Sequence, residues 1–141
     1  MNAMQVEPKI SVVFTSYNHK EYLRQALDAI ICQTFNEFEL IIVDDSSTDG
    51  SQDVLKEYAK KDSRIRLYLN EKNSGSYVNS TNYGVSLAVA PYIVLAQCDD
   101  FAFPNQLQEL YDARLANKSY KVVFSSSLFL VHQRNKNSLI R

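Results

Sequence analysis

The feature of this sequence that most constrains its fold is a short apolar segment that ends in two acidic residues. Residues 40–43 are all apolar, three of them are β-branched, and Asp44 and Asp45 follow directly. The segment is too short for a helix, and its continuous apolar character is typical of a strand that is buried on both faces of a parallel sheet. Ligands of open parallel sheets bind outside the carboxyl ends of the strands, so the acid pair is expected beside a ligand.

A purely structural interpretation of this segment stays open. Residues 44–51 are rich in Asp and Ser and contain Gly50. Asp and Ser supply Asx turns and helix caps in many proteins, without any ligand. The segment alone favours the ligand-binding interpretation over the structural one but does not decide between them.

Strands and helices alternate along the chain. Apolar segments predict strands at 10–14, 40–43, 64–69, 92–96 and 121–131, with helices between them. This alternation predicts right-handed crossovers and a three-layer α/β/α sandwich with a mostly parallel sheet. Apolar and charged residues alternate in 64–69, which predicts an edge strand, whereas the continuously apolar 10–14 is expected inside the sheet. For the helix before Pro91, the spacing predicts an inward face of Val78, Asn82, Val85 and Val89.

Composition and charge exclude several classes of protein. The 141 residues are 45% hydrophobic and 22% charged, as expected for one globular domain. Fifteen Lys and Arg residues nearly balance sixteen Asp and Glu residues, so no nucleic-acid partner is expected. No apolar segment approaches the roughly 20 residues of a membrane span, and the first residues do not have the pattern expected of a signal peptide. Cys32 and Cys98 are expected to be reduced, buried thiols of a cytoplasmic protein.

A second acid pair, Asp99 and Asp100, follows the strand at 92–96. In a parallel sheet both pairs emerge at the same edge, where four carboxylates repel each other unless a positive or hydrogen-bonding group lies between them. A divalent cation held by one or two carboxylates and by substrate phosphates is the usual solution. A carboxylate can also accept hydrogen bonds from a nucleobase N–H or from ribose hydroxyls. The two pairs therefore predict a metal-dependent site for a sugar nucleotide, and the cation that we expect there is Mn²⁺ or Mg²⁺.

The chain resembles the family 2-type inverting glycosyltransferases, which have the nucleotide-diphospho-sugar-binding GT-A fold. The resemblance extends over residues 9–110 and rests on five segments that occur in the family's order. They are 11–18 (SVVFTSYN), 33–35 (QTF), 39–50 (ELIIVDDSSTDG), 73–88 with Asn73, Gly75, Asn82, Gly84 and Ala88, and 95–104 (LAQCDDFAFP). One such match would be weak evidence, but five in order at the right intervals are strong.

The resemblance implies a role for each matching residue. Thr15 and Tyr17 would line the pocket of the base. Asp45 would accept a hydrogen bond from the uracil ring N–H, and Asp44 would shape the turn beside it. Asp99 would lie nearest the metal and the diphosphate, with Asp100 beside it as a second metal ligand.

Two departures from the family pattern affect these roles. Gln97 replaces the first Asp of the family's D-x-D motif, so an amide would contact the ribose there. Thr81 stands where the family often has an Arg just before Asn82, which removes one phosphate contact.

The resemblance also implies a division of the chain and of the reaction. Residues 1–8 are interpreted as an N-terminal extension, 9–131 as part of a GT-A domain and 132–141 as a polar tail. Family members continue into an acceptor-binding half that carries the catalytic base, so the isolated chain is expected to bind the donor without transferring its sugar. The acceptor would be a glycan or a lipid-linked glycan of polysaccharide biosynthesis, reached through that half, which could also attach the enzyme to the cytoplasmic face of a membrane. The catalytic base and the oligomeric state stay open.

Two other functions remain as alternatives. The first is a non-catalytic module, or degenerate remnant, that binds a nucleotide sugar. The second is a response-regulator-like receiver, which also collects acids at strand ends. That fold has its acid pair after the first strand and a Lys after the fifth, whereas here a pair follows the second strand and Lys121 precedes the fifth.

Overall fold

A computed structural model describes residues 6–119, which form four strands and four helices in strict alternation. The elements, in chain order, are β1 (Ile10–Ser16), α1 (Lys20–Ile31), β2 (Phe38–Asp44), α2 (Ser51–Lys61), β3 (Ile65–Leu69), α3 (Tyr77–Leu87), β4 (Tyr92–Gln97) and α4 (Gln106–Ala116). The strand predicted at 121–131 and both predicted chain ends lie wholly or partly outside the described residues.

The four strands form one parallel sheet in the order β3-β2-β1-β4. Strand β1 is internal and β3 lies at an edge, as the sequence predicts. Ser16 pairs with Asp44, and Thr15 pairs with both Val43 and Gln97. This register brings the carboxyl ends of β1, β2 and β4 to the same edge of the sheet.

Helices cover both faces of the sheet and make the predicted three layers. On one face, inward side chains of β1 and β2 pack with α1, α2 and α4 in a single apolar cluster. Its largest fully buried members are Phe14, Ile10, Leu23, Leu27, Leu40, Ile42 and Leu55. On the other face, α3 lies across β1 and β2.

The predicted inward face of α3 is wrong. Val78 and Val89 are exposed, and the helix buries Ser80 and Gly84 instead. Gly84 meets Val13 and Val43 of the sheet so closely that a side chain has no space there. Apolar spacing identifies the inward face only when packing depends on large side chains, whereas here the helix backbone itself approaches the strands.

The prediction that both cysteines are buried is correct for one of them and wrong for the other. Cys98 is buried behind the end of β4, but Cys32 is exposed at the end of α1. None of the helices in the described part of the chain combines the length and apolar character needed to cross a bilayer.

A buried polar network joins the start of the sheet to the connection between α3 and β4. Glu39 accepts hydrogen bonds from Ser11 Oγ (2.6 Å), Arg66 (2.7 Å) and the Val89 N–H (2.9 Å). Ser11 Oγ in turn accepts from the Ala90 N–H (3.0 Å). Burial raises the pKa of Glu39, but these hydrogen bonds outweigh burial, so the pKa lies below its ordinary value. The network holds the end of the sheet opposite the acid pairs.

Candidate functional site

A cleft of about 290 Å³ opens at the carboxyl ends of β1, β2 and β4. Loops after these strands and the segment that leads into α3 form its walls. The lining residues are Thr15, Ser16, Tyr17, His19, Asp45, Asn73, Gly75, Ser76, Tyr77, Ser80, Gln97, Cys98 and Asp99. Ligands of parallel α/β sheets bind at this position, so the cleft is the candidate site.

Five of the seven predicted site residues line this cleft. They are Thr15, Tyr17, Asp45, Gln97 and Asp99. Asp44 is fully buried below the cleft, and Asp100 stands beside it on the turn after β4. The structure therefore brings one member of each acid pair into the same cavity.

Asp44 holds the turn that follows β2. Its carboxylate accepts hydrogen bonds from the Ser47 N–H (2.9 Å), from Ser47 Oγ and from Gln52 Nε2 (2.9 Å). The side chain is 0% exposed, so these donors take the place of water around a buried carboxylate. Asp44 acts on the cleft through the shape of the turn.

Asp45 faces the cleft and is fixed by the loop between β3 and α3. Its Oδ1 accepts from Asn70 Nδ2 (2.9 Å) and the Ser74 N–H (2.8 Å), and its Oδ2 accepts from Ser74 Oγ (2.8 Å). Asn73 Nδ2 also donates to the Asp45 carbonyl (3.2 Å). Burial raises the pKa of Asp45, but these donors outweigh burial and lower it. Asp45 is therefore an ionised acceptor, and Oδ2 still has lone-pair capacity for a ligand N–H.

The loops after β1 and β2 are joined by reciprocal hydrogen bonds, which we call the loop latch. The Asn18 N–H donates to Ser47 Oγ (3.0 Å), and the Thr48 N–H donates to Asn18 Oδ1 (2.8 Å). Asp49 accepts from the Lys20 N–H (2.9 Å) and from the Ser51 N–H (2.9 Å), the first residues of α1 and α2. The latch fixes Tyr17 and Asp45 relative to each other.

The turn after β4 carries Asp99 and Asp100 on its exposed side. Partial desolvation and the neighbouring charge of Asp99 raise the pKa of Asp100. Two adjacent carboxylates suit a divalent cation that takes its other ligands from phosphate oxygens and water. Within residues 6–119, no three His, Cys, Asp or Glu side chains are grouped to hold a metal by themselves. Asp99 and Asp100 by themselves would therefore supply only part of the coordination shell of such a cation.

Several residues in or next to the cleft were not predicted from the sequence. Asn70 and Ser74 reach Asp45 from 25 and 29 residues away, and such contacts have no local signature. Tyr77 lines the cleft with its ring 67% exposed. His19, interpreted from sequence as a surface loop residue, is exposed but also lines the cleft, and its Nδ1 donates to the Tyr17 carbonyl (2.7 Å).

Comparison with known proteins identifies the family to which the chain is similar. The family model described as glycosyl transferase family 2 matches residues 11–130. The chain is 36% identical over 108 residues to the glycosyltransferase GlyA of Streptococcus pneumoniae, covering 77% of this chain and 15% of GlyA. It is 34% identical over 131 residues to an uncharacterised glycosyltransferase of Methanocaldococcus jannaschii, covering 92% of this chain and 45% of that protein. The chain thus spans less than half the length of these relatives.

The fold is similar to that of S. aureus TarS. Crystal structures of TarS residues 1–349 in complex with UDP and with UDP-GlcNAc each superpose with a TM-score of 0.73 and 26% sequence identity. The superposition covers 78% of this chain and 33% and 32% of those two TarS chains.

Proposed function

The chain belongs to glycosyl transferase family 2, and we propose that its cleft binds a nucleotide-diphospho-sugar, specifically a UDP-sugar, for transfer of the sugar to an acceptor hydroxyl. One observation carries the proposal: the carboxylates of Asp45 and Asp99, from two different strand ends, line a single cavity at the edge of a parallel sheet. The similarity to TarS, which has been crystallised with UDP and UDP-GlcNAc, supports the same class of donor.

In this proposal Asp45 recognises the base. Because its carboxylate is ionised, it can only accept hydrogen bonds, so it selects a ring N–H such as that of uracil. Thr15 and Tyr17 form the wall beside it, and the Tyr17 ring is 45% exposed and therefore accessible to a base. Asp44 contributes through the turn that positions Asp45.

The remaining predicted residues would meet the ribose and the diphosphate. Gln97, which pairs with Thr15 across the strands and lines the cleft, would contact the ribose with its amide. Asp99 and Asp100 would hold Mn²⁺ or Mg²⁺ together with the diphosphate oxygens. When bound, the metal neutralises charge on the departing diphosphate.

The proposed transfer occurs with inversion at the anomeric carbon. The acceptor oxygen forms a bond to that carbon from the face opposite the diphosphate, while the carbon–oxygen bond to the diphosphate breaks. The acceptor proton passes to a general base held within hydrogen-bond reach of the hydroxyl. We assign no residue of this chain as that base, and we place the glycan or lipid-linked acceptor and its base in a part of the enzyme outside it. A cytoplasmic location remains a sequence-based prediction.

The proposal is tested by isothermal titration calorimetry of the 141-residue chain with uridine, UDP, CDP and GDP, each with Mn²⁺ and with EDTA. We expect UDP to bind more tightly than CDP and GDP, and its affinity to fall when EDTA is present. Uridine lacks phosphates, so its affinity should be the same in both conditions. Equal affinity for the three diphosphates would contradict the role of Asp45, and UDP binding that is unaffected by EDTA would contradict the metal.

A non-catalytic nucleotide-sugar-binding module is the second candidate, because every role that we assign to a described residue is in binding the donor, and none is that of the general base. An assay of product formation distinguishes the enzyme from the binding module. It uses a panel of nucleotide sugars and glycan acceptors, and the protein that contains this chain together with its acceptor-binding part. Donor binding without glycoside formation would identify a binding module.

A further inference from the structure

The side chain of Gln33 lies outside the cleft residues and makes three hydrogen bonds, all to backbone groups. It is 3% exposed and all of its polar atoms are used. Nε2 donates to the Ala29 carbonyl (3.0 Å) and to the Phe103 carbonyl (2.6 Å). Oε1 accepts from the Leu107 N–H (3.0 Å). One buried amide therefore bonds to backbone at three positions.

These bonds join the end of α1 to the segment that follows the acidic turn. Phe103 and Leu107 are 70 and 74 residues from Gln33 in sequence. Next to this amide, the Thr34 N–H donates to the Pro104 carbonyl (2.8 Å). The first turn of α4 and the residues before it are thus hydrogen-bonded to residues 33 and 34 at three positions, which are 103, 104 and 107.

The acidic turn lies between two fixed points. On one side, β4 is paired with β1 up to Gln97, and the Asp100 N–H donates to the Gln97 carbonyl (3.1 Å). On the other side, Phe103 is held by Gln33, and only Phe101 and Ala102 separate it from Asp100. Three residues of extended chain span at most about 10 Å, so the Gln33 contact limits where the two carboxylates can move.

Apolar packing cannot replace this restraint. The rings of Phe101 and Phe103 contact each other with a centroid distance of 5.8 Å, but they are 50% and 44% exposed. The like charges of Asp99 and Asp100 also favour a more open turn. We propose that Gln33 is a positioning residue that holds Asp99 and Asp100 at the mouth of the cleft, in the arrangement that a metal–diphosphate ligand requires.

This inference rests on the proposed function, because it gives the acidic turn a metal–diphosphate ligand. It also accounts for the QTF segment at 33–35, which the sequence resemblance identifies without a role. Groups that orient metal ligands act through backbone or side-chain hydrogen bonds, and their loss costs about 10- to 100-fold in metal affinity or activity.

The test uses the full 141-residue chain with Gln33→Leu and Gln33→Glu. Leu removes all three bonds. Glu keeps an acceptor for the Leu107 N–H but loses the donor to both the Ala29 and the Phe103 carbonyls, so it removes the Phe103 contact in a second, chemically different way. By calorimetry, we expect the affinity for UDP with Mn²⁺ to fall about 10- to 100-fold, while the affinities for uridine and for UDP with EDTA stay within about twofold.

Hydrogen–deuterium exchange supplies a readout that needs no metal. In both variants without ligand, we expect faster exchange over residues 98–107 and unchanged exchange over β1 and β2. Gln108→Leu serves as a matched control, because this glutamine lies on α4, next to Leu107 in sequence, and its side chain donates to Asp112 at the surface. Ser11→Ala destabilises the opposite end of the sheet and controls for a general loss of stability.

The inference is wrong if folded Gln33→Glu binds UDP with Mn²⁺ as tightly as the wild type does. It is equally wrong if uridine binding falls by the same factor, or if Ser11→Ala gives the same pattern, because Gln33 would then support the fold as a whole. A wild-type chain that binds UDP independently of Mn²⁺ would instead overturn the metal role in the proposed function. The two failures are therefore distinguishable.

Discussion

Gly84 of α3 and Val13 of β1 approach so closely that a Cβ on Gly84 would lie 2.5 Å from Val13 Cγ1. The same Cβ would lie 3.4 Å from Val43 Cγ2. Both neighbours are β-branched and therefore stiff, so neither can easily move away. This contact sets the distance between α3 and the sheet, and with it the position of Ser76, Tyr77 and Ser80 in the wall of the cleft.

Gly84→Ala should therefore destabilise the protein. Ala is favoured over Gly inside a helix by about 1 kcal/mol, but overpacking a close contact costs about 1–3 kcal/mol. We therefore expect the cost of overpacking to outweigh the gain in helix propensity, so that the free energy of unfolding falls. We expect a lower midpoint in urea denaturation. Ser86→Ala on the exposed side of the same helix is the control and should have little effect. A Gly84→Ala protein that is more stable than the wild type would show that helix propensity outweighs the contact.

Asp45→Asn should weaken UDP binding. A hydrogen bond to a charged group contributes about 1.5–3 kcal/mol, which corresponds to roughly a tenfold to hundredfold change in affinity. Calorimetry with UDP and Mn²⁺ measures this change. Asp53→Asn replaces an exposed acid of α2 and should leave the affinity unaltered. If the two variants bind UDP equally well, Asp45 does not recognise the base.

The acidic turn should be needed for the metal effect and not for the fold. At a concentration 100 times its dissociation constant, a ligand stabilises the native state by about 2.7 kcal/mol. Thermal denaturation with UDP and Mn²⁺ should therefore show a clear increase in Tm in the wild type. The Asp99→Asn, Asp100→Asn double variant should lose this increase while keeping its Tm without ligand, because both residues are exposed. A full increase in the double variant would place the metal elsewhere.

Stability should depend on pH through Glu39. Burial raises its pKa, but the bonds from Ser11, the Val89 N–H and Arg66 lower it overall from an ordinary value of 4.5. A carboxyl whose pKa is lower in the folded state stabilises the protein above its unfolded pKa, and this contribution is lost as the pH falls through the folded pKa.

Glu39→Gln measures that contribution. At pH 7 we expect the free energy of unfolding to fall by about 1.5–3 kcal/mol, the value of a hydrogen bond to a charged group. The difference between wild type and variant should shrink as the pH falls below about 4. Urea denaturation at several pH values gives the difference directly. A difference that is constant between pH 7 and pH 3 would mean that the charge of Glu39 is not involved.

The arrangement of the sheet was predictable because burial leaves a pattern in the sequence. Strand β1 is apolar throughout and lies inside the sheet, whereas Arg64 and Arg66 alternate with apolar residues around β3, which lies at its edge. Parallel strands end at one edge, so the convergence of Asp45 and Asp99 followed from the fold class alone.

The contacts that orient these acids were not predictable. The hydrogen-bond partners in these contacts lie 25 to 74 residues apart in sequence: Asn70 and Ser74 bond to Asp45, and Gln33 bonds to Leu107. No periodicity records such contacts, because each depends on where two loops meet after the sheet has formed. The inward face of α3 was missed for a related reason, since Gly84 contributes by lacking a side chain.

The loop latch has a consequence for attempts to change which nucleotide binds in the proposed site. Asn18 bonds to Ser47 and Thr48, and Asp49 bonds to the first residues of both α1 and α2. The loops after β1 and β2 therefore form a single hydrogen-bonded unit that has to be exchanged as a whole. Replacing only the loop after β1 would leave the donors and acceptors of the loop after β2 without hydrogen-bond partners. Productive chimaeras would exchange residues 17–20 together with 46–51, and crossover points inside that pair would give proteins that fold poorly before their selectivity could change.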